Sequence, residues 1–136
     1  MKPIKEIHQV QLCFDEVGRE VEVLDVVIID SESLCIEENP ILNEEISKGD
    51  IIRVKKVFEI FYYIETIKKS DLAKLSWLLS KEIIESKELI KLKEQVKQFS
   101  GSYDQIFGGL LIINISKEFE IKIVEEMNKI LKMMNT

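Results

Sequence analysis

The stretch Ile51-Ile52-Arg53-Val54-Lys55-Lys56-Val57-Phe58-Glu59-Ile60-Phe61-Tyr62-Tyr63-Ile64-Glu65-Thr66-Ile67, running on into Lys68-Lys69-Ser70-Asp71-Leu72, divides the chain by character. β-Branched and aromatic residues fill its first part, the composition of strands. A turn near residues 55–59 splits it into two antiparallel strands, although no Gly, Pro or Asn marks one there. Beyond Ser70 the pattern changes. Leu72, Leu75, Leu79 and Ile83 recur at helical spacing, and Ser70 stands where a helix cap is wanted. The expected order is strands first and helices last, an α+β fold.

Toward the N-terminus, His8, Val10, Leu12 and Phe14 alternate with Gln9 and Gln11, which predicts a half-buried strand within 4–14. Asp15-Glu16-Val17-Gly18-Arg19 reads as a turn, 20–30 as a second strand, Asp30-Ser31-Glu32-Ser33 as another turn, and Leu34-Cys35-Ile36 as a short third strand. An irregular stretch follows, with Asn39-Pro40 inside it and Ser47-Lys48-Gly49-Asp50 at its end. Toward the C-terminus the apolar stripe changes phase near Ser86, to Leu89, Leu92, Val96 and Phe99. Residues 71–98 therefore read either as one helix that rotates its buried face or as two meeting near 85–87, with Gly101 as the stop. Leu110-Leu111-Ile112-Ile113-Asn114-Ile115 is a strand expected inside the sheet. Ser116 opens a last helix striped by Phe119, Ile123, Met127, Ile130 and Met134.

With no repeat, low-complexity tract or linker, the expectation is a single domain over 1–136, strand-rich over 1–68 and helix-strand-helix over 69–136. Its architecture is an antiparallel sheet of four to six strands with the C-terminal helices packed on one face. A length of 136 residues and 46% hydrophobic content suit one globular core. No run approaches the roughly 18 apolar residues of a membrane span, and Met1-Lys2-Pro3-Ile4-Lys5-Glu6 lacks a signal peptide's apolar run. The reading places the protein in the cytoplasm, away from membranes. Cys13 and Cys35 agree: neither belongs to a Cys-x-x-Cys pair, and both suit buried free thiols.

Catalytic chemistry finds few parts. His8 is the one histidine, on the apolar side of its strand, and without a second His or paired Cys no tetrahedral zinc site assembles. Cys13 differs in strand parity from His8, so the two point to opposite faces. Gly108-Gly109 precedes a strand rather than a helix and cannot offer helical N–H groups to a phosphate. Glu37, Glu38, Glu44, Glu45 and Asp50 crowd one loop but lack the alternating ligand pattern of a calcium site. No enzyme activity, cofactor or metal is expected. Lys55, Lys56, Lys68, Lys69 and Lys74, with Phe61, Tyr62 and Tyr63 among them, sketch a weaker RNA-binding face. In Phe99-Ser100-Gly101-Ser102-Tyr103-Asp104-Gln105-Ile106-Phe107 aromatic and small residues interleave on an expected loop. There Tyr103, Asp104 and Phe107 either contact a ligand or tuck over the core.

Charge is uneven. The net charge is −6, yet residues 1–50 hold four basic and thirteen acidic side chains while residues 51–136 hold fifteen basic and twelve acidic. The acidic half repels phosphate backbones and attracts basic proteins, or it serves only as a solvated rim.

The segment Pro40-Ile41-Leu42-Asn43-Glu44-Glu45-Ile46-Ser47-Lys48-Gly49-Asp50-Ile51-Ile52 resembles a signature loop of a family of small uncharacterised bacterial α+β proteins, in which Ser-x-Gly-Asp leads into a strand. Residues 61–67, 71–99 and 110–131 follow that family's order of elements. The plan is also similar to that of immunity proteins of bacterial toxin–immunity systems. The resemblance implies a non-enzymatic inhibitor that neutralises a cognate toxin by binding it. Asp15, Glu16, Glu37, Glu38, Glu44, Glu45 and Asp50 are the expected contacts to a basic toxin surface. The alternative is a small ligand-binding or regulatory module working through Tyr103, Asp104 and Phe107. Oligomeric state is open on these grounds.

Overall fold

The computed structural model describes residues 5–15 and 17–134. The chain divides into two compact units, 1–70 and 71–136. The sequence placed its own division into halves two residues earlier. The α+β class holds, but the strands form two sheets rather than one: a closed five-stranded barrel and a separate three-stranded sheet.

The first unit contains β1 (Ile7–Cys13), β2 (Val21–Asp30), β3 (Ser33–Ile36), β4 (Ile51–Val57) and β5 (Ile60–Lys68). Each successive pair is antiparallel, so strand direction alternates and the first and fifth strands run the same way. Ring closure is therefore parallel, through Gln11↔Ile60, Leu12↔Phe61 and Cys13↔Tyr62. The period of two along each strand turns Leu12, Leu24, Val26, Leu34, Ile36, Ile52, Val54 and Phe61 into one buried cluster. Val10, Phe14 and Tyr63 pack against it. The turn anticipated between β4 and β5 is Phe58-Glu59, set by the Val57↔Ile60 pair. Phe58 sits there at φ 57° with 91% of its surface exposed. Two-residue hairpins need a positive φ and favour Gly or Asn, so a Phe in that role left no turn signal to read.

The second unit opens with a departure from expectation. Residues 72–78, expected as the first turns of a helix, form strand β6 (Leu72–Leu78). Leu75 and Leu79 are four apart, a spacing that suits a strand's period of two as well as a helix's 3.6. Ala73, Leu75 and Trp77 are the residues of β6 that join the core cluster. Two helices follow, α1 (Lys81–Ile84) and α2 (Lys87–Gln98), which settles the choice between one and two. Ser86 makes the break. Its Oγ donates to the Ile83 carbonyl (2.6 Å) and accepts from the Leu89 N–H (3.2 Å), ending one helix and capping the next.

After α2 the chain forms β7 (Ser102–Ile106), where a loop was expected, and β8 (Leu110–Ser116). β8 is central, with β6 and β7 antiparallel on either side. A short 3₁₀ turn, Lys117–Phe119, leads into α3 (Glu120–Met134). Leu111, Ile113 and Ile115 of β8 unite with Leu89, Leu92 and Val96 of α2 and Ile123, Met127 and Ile130 of α3 in a second core.

α2 ends in a Schellman motif. The Gly101 N–H reaches the Val96 carbonyl (2.9 Å) and the Ser100 N–H reaches that of Lys97 (3.0 Å). The left-handed residue is Ser100, at φ 61°, not the neighbouring glycine. Gly101 is needed for space instead, since a Cβ there would lie 2.9 Å from the Asn114 carbonyl oxygen. Ser100→Gly is accordingly expected to stabilise the protein by about 0.5–1 kcal/mol, seen as a higher denaturant midpoint at unchanged slope.

Candidate functional site

The fourteen residues between β3 and β4 form the longest segment without regular structure, a length usually reserved for functional loops. Such a loop lacks a ladder to satisfy its amides, and here carboxylate and amide side chains do so. Asp50, with 0% of its surface exposed, accepts from the Ser47 N–H (2.9 Å), the Ser70 N–H (2.7 Å) and the Lys69 ammonium (2.6 Å). Asn39 Oδ1 accepts from the Lys48 N–H (3.0 Å) and Asn43 Oδ1 from that of Glu45 (3.0 Å). From β2, the Glu22 carboxylate takes the N–H groups of Ile41 (2.9 Å) and Leu42 (2.9 Å). Ile46 anchors the centre by burial in the barrel core. The result is a fixed tip that leaves Ile41 43% and Leu42 47% exposed.

The acidic residues singled out by sequence fall into three groups. Asp50, Asp15 and Glu38 direct oxygens at backbone N–H groups: Glu38 accepts from Asp25 (2.7 Å), and Asp15 from Arg19 (3.0 Å) and Glu20 (3.1 Å). Glu37 faces the Lys5 ammonium at 3.6 Å with a side chain 12% exposed. Glu44 and Glu45 are exposed beside the apolar tip. Glu16 lies outside the described residues. Sequence reading missed Glu22, Asn39 and Ile41–Leu42. Asn39-Pro40 was the available signal, because Asn before an irregular stretch is a turn organiser through its side chain.

Asp15 also shapes the β1–β2 turn. The hydrogen bond from Glu20 N–H, with those from Cys13, Arg19 and Gly18, holds its carboxyl below the ordinary aspartate range. Burial foremost, with the Asp15 side chain next, pushes the Cys13 thiol up. A carboxyl depressed in the folded state contributes stability above its unfolded pKa of about 3.9 and loses it as pH falls through the folded value. Asp15→Asn should therefore flatten the stability–pH curve below about pH 4 and leave its shape at neutral pH alone, as read by urea unfolding across pH.

Tyr103 and Asp104 lie on β7, and Phe107 lies in the turn that joins β7 to β8. Tyr103 packs against the second core, with the Lys93 and Lys97 ammoniums 5.2 and 5.4 Å from its ring centre. Phe107 is 82% exposed at φ 54°, and Leu78 is 85% exposed. Of the basic–aromatic group, the Lys56 ammonium lies 5.4 Å from the Phe61 ring centre. Phe61 is inside the barrel, the Tyr63 hydroxyl bonds to Thr66 (2.8 Å), and Lys69 is held by Asp50 and the Glu45 carbonyl. His8, expected on an apolar side, has a side chain 43% exposed and 3.4 Å from Glu6. Cys13 is a buried free thiol and Cys35 a half-buried one. Among the described residues no three His, Cys, Asp or Glu side chains converge as metal ligands, and no helix is long and apolar enough to cross a membrane.

No family model matches this chain, and no curated protein matches it. Among solved structures it is similar to a hypothetical protein from Neisseria gonorrhoeae. The TM-score is 0.66 at 16% sequence identity, over 97% of this chain and 90% of that one. At that identity the likeness is one of fold.

Proposed function

We propose that the protein is a non-enzymatic, cytoplasmic binding protein that acts as an immunity-type inhibitor, docking the 37–50 loop on a basic toxin domain. The observation that carries this reading is the fixed apolar tip, Ile41 and Leu42, beside the exposed carboxylates Glu44 and Glu45. An apolar centre with a charged rim is the anatomy of a protein–protein contact. A loop already ordered by Glu22, Asn39 and Asp50 loses little entropy on docking. Glu37, Glu38, Asp15 and Asp50 support the site by shaping it, and Glu44 and Glu45 supply the steering charge.

The test compares tagged wild type with a Leu42→Asp, Glu44→Lys, Glu45→Lys variant in pull-downs at low and high salt. Wild type should retain one basic protein stoichiometrically and release it as salt rises. The variant should lose at least about 30-fold in affinity with an unchanged circular dichroism spectrum. Equal retention by both chains would count against the loop, and a partner indifferent to salt would count against charge steering.

A second reading, a ligand-binding or regulatory module, draws on Phe107 and Leu78, two exposed apolar side chains in the second unit. The shared core of α2, α3 and alternate residues of β6 and β8 supports reading the helices as cover for one face of that sheet. A ligand-dependent rise in melting temperature, abolished by Phe107→Ser, would favour this module over the inhibitor.

A further inference from the structure

In a closed ring every strand has a neighbour on both sides, but β1 has both only over Gln11, Leu12 and Cys13. Ile7–Val10 pair with β2 on one side and, among the described residues, with no strand on the other. Hydrogen-bond parity shows which groups face the open side. Asp25, opposite Gln9, donates its N–H to the Glu38 carboxylate (2.7 Å) and accepts at its carbonyl from the Glu37 N–H (2.9 Å), both away from β1. The Phe14 N–H to Glu20 carbonyl bond (3.0 Å) continues the ladder one step past Cys13↔Val21. Even-numbered residues of β1 therefore bond to β2, and odd-numbered ones point the other way. Gln11 and Cys13 meet β5 there. Among the described residues Ile7 and Gln9 meet no strand there.

We infer that the Ile7–Val10 edge of β1 is a docking site that takes an extended polypeptide segment by strand addition. Free edges are usually blunted by charge, proline or a bulge. Ile7-His8-Gln9-Val10 carries no proline, Lys or carboxylate, and its pairing with β2 has no register shift. The chain treats its neighbour differently. Alongside β2 the 37–50 loop bonds to Asp25 through Glu38 and to Glu22 through Ile41 and Leu42.

A cleft of about 480 Å³ adjoins the open edge, its wall mixing the apolar Val10, Val23, Ile28 and Phe61 with the polar His8, Gln9, Gln11, Lys56 and Glu59. The β4–β5 hairpin ends where the overhang begins, at Gln11↔Ile60, and presents Phe58 at its tip. Backbone groups repeating along a strand select another peptide backbone at about 4.8 Å, which neither a lipid nor a nucleic acid offers. The mixed wall of the cleft accepts polar as well as apolar side chains beside that backbone. The occupant is thus a segment of about four extended residues that offers its backbone groups to Ile7 and Gln9.

The test is amide hydrogen exchange by NMR on the full chain, free and with acetyl-Thr-Val-Thr-Val-Thr-amide at millimolar concentration. A twin of that peptide with N-methylated valines serves as the control. In the free protein Ile7 and Gln9 should exchange fast while His8 and Val10 are protected. The peptide should slow Ile7 and Gln9 by about tenfold or more, and the twin should not. Gln9→Pro, which removes an outward N–H, should fold with Leu24 and Ile52 still protected yet lose the peptide effect. Protection of Ile7 and Gln9 before any peptide is added, no slowing on its addition, or equal slowing by the twin would each overturn the inference.

Discussion

Asp50→Ala is expected to lower stability by about 3 kcal/mol and the melting temperature by roughly 10–20 °C. Removing the carboxylate orphans two backbone donors, the Ser47 and Ser70 N–H groups, and each costs about 1–3 kcal/mol when left unmet away from water. The Lys69 ammonium contributes little of the loss, because its side chain is 57% exposed and can return to solvent. Asp50→Asn should fall between wild type and Ala. It keeps one acceptor oxygen but turns an NH₂ group toward donors that need an acceptor. Thermal unfolding of the three chains decides the matter. If Ala melts within about 2 °C of wild type, water replaces the carboxylate and the loop does not depend on it.

That residue shows how far sequence reading carried. Ser47-Lys48-Gly49-Asp50 was legible as a turn, and Asp50 as one of several acids near it. Its role as an internal acceptor was not legible, because two of its three partners, Lys69 and Ser70, lie just beyond the end of β5. Elements with one consistent signal were read well: the Val10-Leu12-Phe14 alternation of β1, the β-branched and aromatic composition of β4 and β5, and the stripe of α3. Residues 72–78 misled because Leu75, Leu79 and Ile83, each four apart, satisfy both periods, Leu72 added a helical spacing of three, and Ser70 was available to pose as a cap. Residues 102–106 misled for a different reason. Gly101, Gly108 and Gly109 bracket them closely, and a five-residue strand between turns has the composition of a loop.

Gly49→Ala should cost about 2 kcal/mol or more. Gly49 has φ 93°, where an L side chain is strained, and an added Cβ would lie 2.7 Å from Ser70 Oγ and 3.1 Å from Ser70 Cβ. Ser70 would have to retreat, and its N–H would leave Asp50. The two sites share that partner, so the Gly49→Ala, Asp50→Ala double variant should lose less than the sum of the single losses. A coupling of about 1 kcal/mol is expected from denaturant midpoints. Strict additivity would mean that the added methyl is accommodated without moving Ser70.

The barrel's parallel seam has a consequence for how the chain is made. Every other seam of the ring joins strands that follow one another in the sequence, but this one waits for residue 60 to meet residue 11. A nascent chain released from the ribosome only as far as β4 holds four strands with two raw edges and an interior open to water. Long-range closure of this kind is slow, and unfinished sheets of this kind associate with one another. Between synthesis of β4 and arrival of Ile60–Tyr62 both outer strands of the sheet lack a neighbour, a condition that favours association between chains.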